Sequence, residues 1–106
     1  MIKRKLKSII YKFKLYVHDL DEIKSKNLVS KGGIFCKSIK ELVPKVSILI
    51  TCLPSPKSVK DVLLKCVPLF NESHLWIEMS TTDEQDMKYL SELVFDKKAE
   101  ALEAPI

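Results

Sequence analysis

Glycine is almost missing from this chain: Gly32 and Gly33 are the only two among 106 residues. A turn of the form G-x-G-x-x-G, whose glycines let backbone N–H groups close around a phosphate, therefore cannot be spelled. No apolar run approaches the roughly 18 residues of a membrane span. The longest, at 46–53, has the length of a buried strand. Cys36, Cys52 and Cys66 show neither C-x-x-C nor zinc-like spacing, which speaks against a disulfide framework and a cysteine metal site. Two of them fall in apolar strand stretches and one on the apolar side of a helix. The expectation is small buried thiols in a reducing, cytoplasmic setting. No A-x-A cleavage site follows the basic opening, so secretion is not expected.

What is present is ordinary in bulk and uneven in placement. The chain is 46% hydrophobic and 30% charged, close to globular averages, which sets aside disordered and fibrous classes. Its length suits one domain with a modest core. The net charge of +4 gathers at one end: Lys3, Arg4, Lys5, Lys7, Lys12 and Lys14 stand without an acid, and residues 15–106 hold twelve bases against fourteen acids. Clustered bases can meet nucleic acid or an anionic membrane. Here they are read as the solvated face of a helix, with no nucleic-acid partner expected.

The apolar pattern lays out the elements. Ile2, Leu6, Ile9, Ile10 and Phe13 recur at helical spacing. Residues 15–19 form a compact strand, and Asp19 to Glu22 offer caps for a helix to about Ser30, ended by Gly32 and Gly33. Residues 34–36 form a short strand, and Ser38 with Glu41 spells a capping box for a brief helix stopped by Pro44. A strand at 46–53 runs into Ser55 as N-cap with Pro56 at the first helical position. Val59, Val62, Leu63 and Cys66 line one face of that helix. A strand at 75–79 precedes a second capping box, Thr82 to Gln85, whose helix buries Met87, Leu90, Leu93 and Val94. Residues 99–105 read as one more strand. Strands alternating with single helices mean a parallel sheet with crossover helices, hence an α/β fold. Ligands in such sheets bind beyond the carboxyl ends of the strands, which singles out Leu53 to Ser55 and Ser80 to Thr82. His18 and His74 have no acidic or nucleophilic partner at useful spacing and are read as surface or strand histidines.

Four segments in order, YVHDLD at 16–21, ITCLPSP at 50–56, WIEMSTT at 76–82 and LEAPI at 102–106, resemble the β-hydroxyacid dehydrogenases. This family includes 3-hydroxyisobutyrate dehydrogenase and 6-phosphogluconate dehydrogenase, and the resemblance covers about residues 5–106. It implies a Rossmann-like NAD(P)-binding domain, followed in the family by a helical domain that completes the active site. By resemblance Asp19 ends the second Rossmann strand and takes the adenosine ribose hydroxyls, which implies NAD over NADP; read alone, it is a helix cap. Leu53, Pro54 and Ser55 resemble the loop beside the ribose and nicotinamide, although a well-capped helix start would look the same. Ser80 and Thr81 resemble the family's pair that binds the substrate carboxylate, with Thr81 also at the nicotinamide end. Glu78 stands where the family commonly has Asp, and Glu103 where Asp or Glu occurs. Both are read as structural, and no residue is assigned as catalytic or as a metal ligand.

Set beside that family, the first strand and glycine loop are missing, and residues 5–14 resemble the end of the first helix. The expected domains are a basic helix at 1–14 and a partial NAD(P)-binding domain at 15–106, truncated at both ends, without the lysine-bearing helical domain. In the strand order 3-2-1-4-5-6 the missing strand is central. Either 15–19 and 46–53 pair directly, or two rows of backbone groups need partners, which makes association through the incomplete sheet an expected property. The expected function is that of part of an NAD-dependent oxidoreductase acting on a small β-hydroxyacid, inactive as this chain alone. The alternative is a non-catalytic interaction module with a basic N-terminal helix.

Overall fold

The computed structural model describes residues 14–19, 26, 27, 29–80 and 83–104. The basic helix expected at 1–14 lies outside them except for Lys14, as do the residues from Leu20 to Ser25, Thr81, Thr82, Pro105 and Ile106. The chain falls into two compact units, Met1–Leu42 and Val43–Ile106.

In the first unit, β1 (Tyr16–Val17) pairs in parallel with β2 (Ile34–Phe35), Tyr16 opposite Ile34. The ladder is short, with Ile34 N–H donating to Leu15 O and Cys36 N–H to Val17 O, each at 2.7 Å. The helix between them ends as its glycine implies: Gly32 sits at φ 105° and its N–H donates to Val29 O. His18 Nδ1–H donates to Cys36 O at 3.0 Å, fastening the end of β1 to the end of β2. The brief helix α1 (Ile39–Leu42) is capped by Ser38, whose hydroxyl accepts from Glu41 N–H. The Glu41 carboxylate reaches back to accept from Lys37 N–H. The α-helix ends at Leu42, ahead of Pro44 as expected, and Pro44 itself sits inside the 3-10 turn that follows, Val43–Lys45.

The second unit carries the parallel sheet β3 (Ile48–Thr51), β4 (Leu75–Glu78) and β5 (Glu100–Glu103), in that order. The register aligns Leu49, Trp76 and Ala101, and one pleat later Thr51, Glu78 and Glu103. Helix α2 (Pro56–Cys66) joins β3 to β4, and α3 (Glu84–Asp96) joins β4 to β5. Ser55 caps α2 as its position before Pro56 implies, its hydroxyl accepting from Ser58 N–H at 3.2 Å. The capping box expected from Thr82 rests on a residue outside those described. Asp83 is the N-cap, its carboxylate accepting from Gln85 N–H, because an Asx side chain reaches the second amide ahead without help from a preceding hydroxyl.

Two consecutive crossovers in one direction place both helices on one face, and burial follows that geometry. Leu49 and Trp76 are buried along with Val59 and Leu63 of α2 and Leu90 and Val94 of α3. The opposite side of the sheet is less covered: Ile48 is 54% exposed and Leu102 51%, while Ile50, Leu75 and Ile77 between them are half-buried. β3 and β4 are thus buried on one face and only partly covered on the other, where a continuous apolar run suggests burial on both. The described strands form two sheets, one in each unit. All ladder bonds described for the two-residue β1 go to β2.

Of the thiols, Cys36 and Cys66 are buried as expected, while Cys52 is exposed. Alternation explains the difference, since Thr51 takes the buried side and its successor must point the other way.

Candidate functional site

Thr51 and Glu78 stand side by side at the carboxyl ends of β3 and β4, both on the buried face. Glu78 has no exposed surface, and a buried carboxylate is tolerated only with donors around it. It has them on one oxygen. Thr51 Oγ1–H and Ser80 N–H each donate to Glu78 Oε1 at 3.0 Å, and the Ser80 hydroxyl donates to the same atom. Glu78 Oε2 is buried with no hydrogen-bond partner among the described residues. Behind this cluster the Trp76 indole N–H donates to Thr51 Oγ1 at 2.9 Å. In front of it Leu53 N–H donates to Ser80 Oγ at 3.1 Å, across from the loop after β3 to the loop after β4.

The residues singled out from sequence distribute as follows. Leu53 and Ser55 are half-buried and Pro54 is exposed, so the loop after β3 faces solvent. Ser80 is 8% exposed and bonded within the cluster. The structure thus brings the backbone of Leu53 and the side chain of Ser80 together. Thr81 lies outside the described residues. Asp19 is exposed at the end of β1, in the other unit. Glu103 is exposed, unlike its neighbour Glu78 across the ladder. Among the described residues no group of three or more His, Cys, Asp and Glu side chains is placed to hold a metal ion. Among them also, no helix is long and apolar enough to cross a membrane.

Sequence reasoning left Thr51 and Trp76 without a role and gave Glu78 only a place at a strand end. A signal was there. Strand alternation puts residue 78 on the same face as Trp76, and a carboxylate on an apolar face requires partners. His74 was also misplaced as a surface or strand residue. It is 4% exposed in the turn before β4, where its Nδ1 accepts from Asn71 N–H and its Nε2–H donates to Val43 O, each at 3.0 Å. A ring with both nitrogens held by backbone is a staple.

Residues 5–106 match a family described as the NAD binding domain of 6-phosphogluconate dehydrogenase. No curated protein matches significantly. Among solved structures, 3-hydroxyisobutyrate dehydrogenase from Mycobacterium tuberculosis, with L-serine, aligns over 94% of this chain at TM-score 0.87 and 19% identity. The imine reductase from Myxococcus stipitatus in complex with NADP+ aligns over 95% at TM-score 0.84 and 12% identity. Its V8 variant in complex with NAD+ aligns over 95% at TM-score 0.84 and 10% identity. At such identities the likeness is one of fold. This chain covers 34%, 36% and 35% of those three chains, about a third of each.

Proposed function

The chain belongs to the family of the 6-phosphogluconate dehydrogenase NAD-binding domain, and from that membership we propose that it supplies part of the dinucleotide-binding half of an oxidoreductase acting on a small β-hydroxyacid. The observation that supports this most is the link from Leu53 N–H to Ser80 Oγ, which holds together the two loops where α/β sheets take their ligands. When bound, the dinucleotide supplies the hydride chemistry. The residues of this chain bind and orient it.

In this reading Asp19 accepts the adenosine ribose hydroxyls. A 2′-phosphate would meet its negative charge, so NAD is preferred over NADP. Leu53, Pro54 and Ser55 line the nicotinamide ribose, beside the amino end of α2. Ser80 and Thr81 form the substrate edge. The Ser80 proton is committed to Glu78. The fit is incomplete at one place. Two adjacent glycines, one of them ending a helix, do not make a pyrophosphate cradle. Dinucleotide binding by these 106 residues is therefore weak, and they turn over no hydroxyacid by themselves, because transfer needs both reactants held in register. Free cysteines fit a reducing compartment such as the cytoplasm.

Titration of the chain with NADH and NADPH, followed by nicotinamide fluorescence, tests the reading. The expected result is saturable NADH binding with Kd of about 1 mM, corresponding to roughly 4 kcal/mol, weaker NADPH binding, and loss of that preference in Asp19→Asn. Absence of saturable binding, or NADPH binding as tight as NADH, overturns it. Turnover of 3-hydroxyisobutyrate by the isolated chain would overturn the claim that it is inactive alone.

A further inference from the structure

We propose that Thr51 and Glu78 are positioning residues that lock the loop after β3 to the loop after β4, with Ser80 as the tether between them. This rests on the reading of those loops as the cofactor and substrate edges. The direction of every bond in the cluster is set by chemistry. An indole nitrogen only donates and a carboxylate oxygen only accepts, so Thr51 Oγ1 accepts from Trp76 and gives its own proton to Glu78. A backbone N–H only donates, so Ser80 Oγ accepts from Leu53 and gives its own proton to the acceptor-only carboxylate of Glu78. Two chains of hydrogen bonds, one from the core and one from the loop, converge on a single carboxylate oxygen, joined there by Ser80 N–H.

That convergence has consequences for what each residue can do. Neither hydroxyl has a proton left for a ligand while the cluster is closed. Glu78 is fully buried, so it acts on a bound molecule through Ser80, which in turn holds Leu53. The carboxylate is also used on one side only, since Oε2 has no partner among the described residues. Replacing that oxygen by an amide NH2 would bury a donor with nothing to accept it, so Glu78→Gln keeps the size and disturbs the cluster.

The test uses the full chain and reads amide hydrogen exchange by NMR together with NADH titration. Leu53 N–H reports the tether, while Leu75 N–H and Met79 N–H, which donate to Ser47 O and Thr51 O in the β3–β4 ladder, report the sheet. In Ser80→Ala, exchange at Leu53 should quicken by about tenfold, as loss of one hydrogen bond implies, with Leu75 and Met79 within about twofold of the parent. Thr51→Val, an isosteric loss of the hydroxyl, should move the indole N–H resonance of the sole tryptophan and weaken NADH binding by about fivefold. Thr51→Ser, which restores the hydroxyl, should return both. Unchanged Leu53 exchange in Ser80→Ala, or equal loss at all three amides, overturns the tether. Equal NADH affinity in Thr51→Val and the parent overturns the positioning role. A parent chain that binds no NADH, but shows the exchange pattern, supports the tether and overturns only the dinucleotide reading.

Discussion

His74 holds the carbonyl of Val43 with its Nε2–H at 3.0 Å, joining the turn before β4 to the 3-10 turn that precedes β3. Its other nitrogen accepts from Asn71 N–H, which fixes the tautomer, and the Phe70 ring lies 5.2 Å away at a tilt. Val43 is fully buried, so its carbonyl has no easy access to water.

Removing that ring should therefore cost more than its size suggests. His74→Ala is expected to lower unfolding stability by about 1–3 kcal/mol, from two lost hydrogen bonds and a cavity, although Val43 O keeps its bond from Val46 N–H. His74→Gln, which can reach one of the two partners, should cost less. Urea denaturation of the two variants checks this; equal midpoints for parent and His74→Ala would show that the staple is idle.

A second prediction concerns the end of α3. Ala99 N–H donates to Val94 O and Lys98 N–H to Phe95 O, the paired bonds of a Schellman motif. The left-handed position is filled by Lys98 at φ 63°, where a side chain costs energy that glycine avoids. Lys98→Gly is expected to stabilise the chain by about 0.5–1 kcal/mol, read as a raised denaturation midpoint. A lowered midpoint would mean that the lysine side chain contributes more than the strain removes.

The third prediction concerns the cysteines. Native chain should present Cys52 to a thiol reagent at once, with Cys36 and Cys66 reacting on unfolding. Burial pushes the Cys66 thiol from 9.0 up to about 12. The unfolded chain therefore loses this proton above pH 9 while the folded chain keeps it. The resulting contribution to stability is whole below pH 9 and falls away as pH rises from 9 to 12, by about 1.4 kcal/mol per pH unit at most. Stability curves of the parent and Cys66→Ala over that range should differ in slope, the variant falling less steeply. Parallel curves would contradict the assignment.

How far the chain could be read varies by element. Local chemistry made Ser55 with Pro56 a helix start, Gly32 a helix stop and Ser38 a cap, because each acts through backbone groups within four residues of itself. The cap of α3 falls on Asp83, one residue beyond the expected start, because an Asx side chain reaches the second amide ahead. Cys52 and Ile48 misled: an apolar run shows that a strand is buried but not on how many faces.

The sequence by itself determined the α/β alternation, the parallel sense of the sheet and the two loops where a ligand would be met, because strand and helix periods and caps are written residue by residue. Tertiary structure decided which side chains meet there. Thr51 and Glu78 are 27 residues apart, and only the β3–β4 register puts them side by side on the buried face. A buried carboxylate must gather donors wherever the fold provides them, so that partnership existed only once the strands were in place.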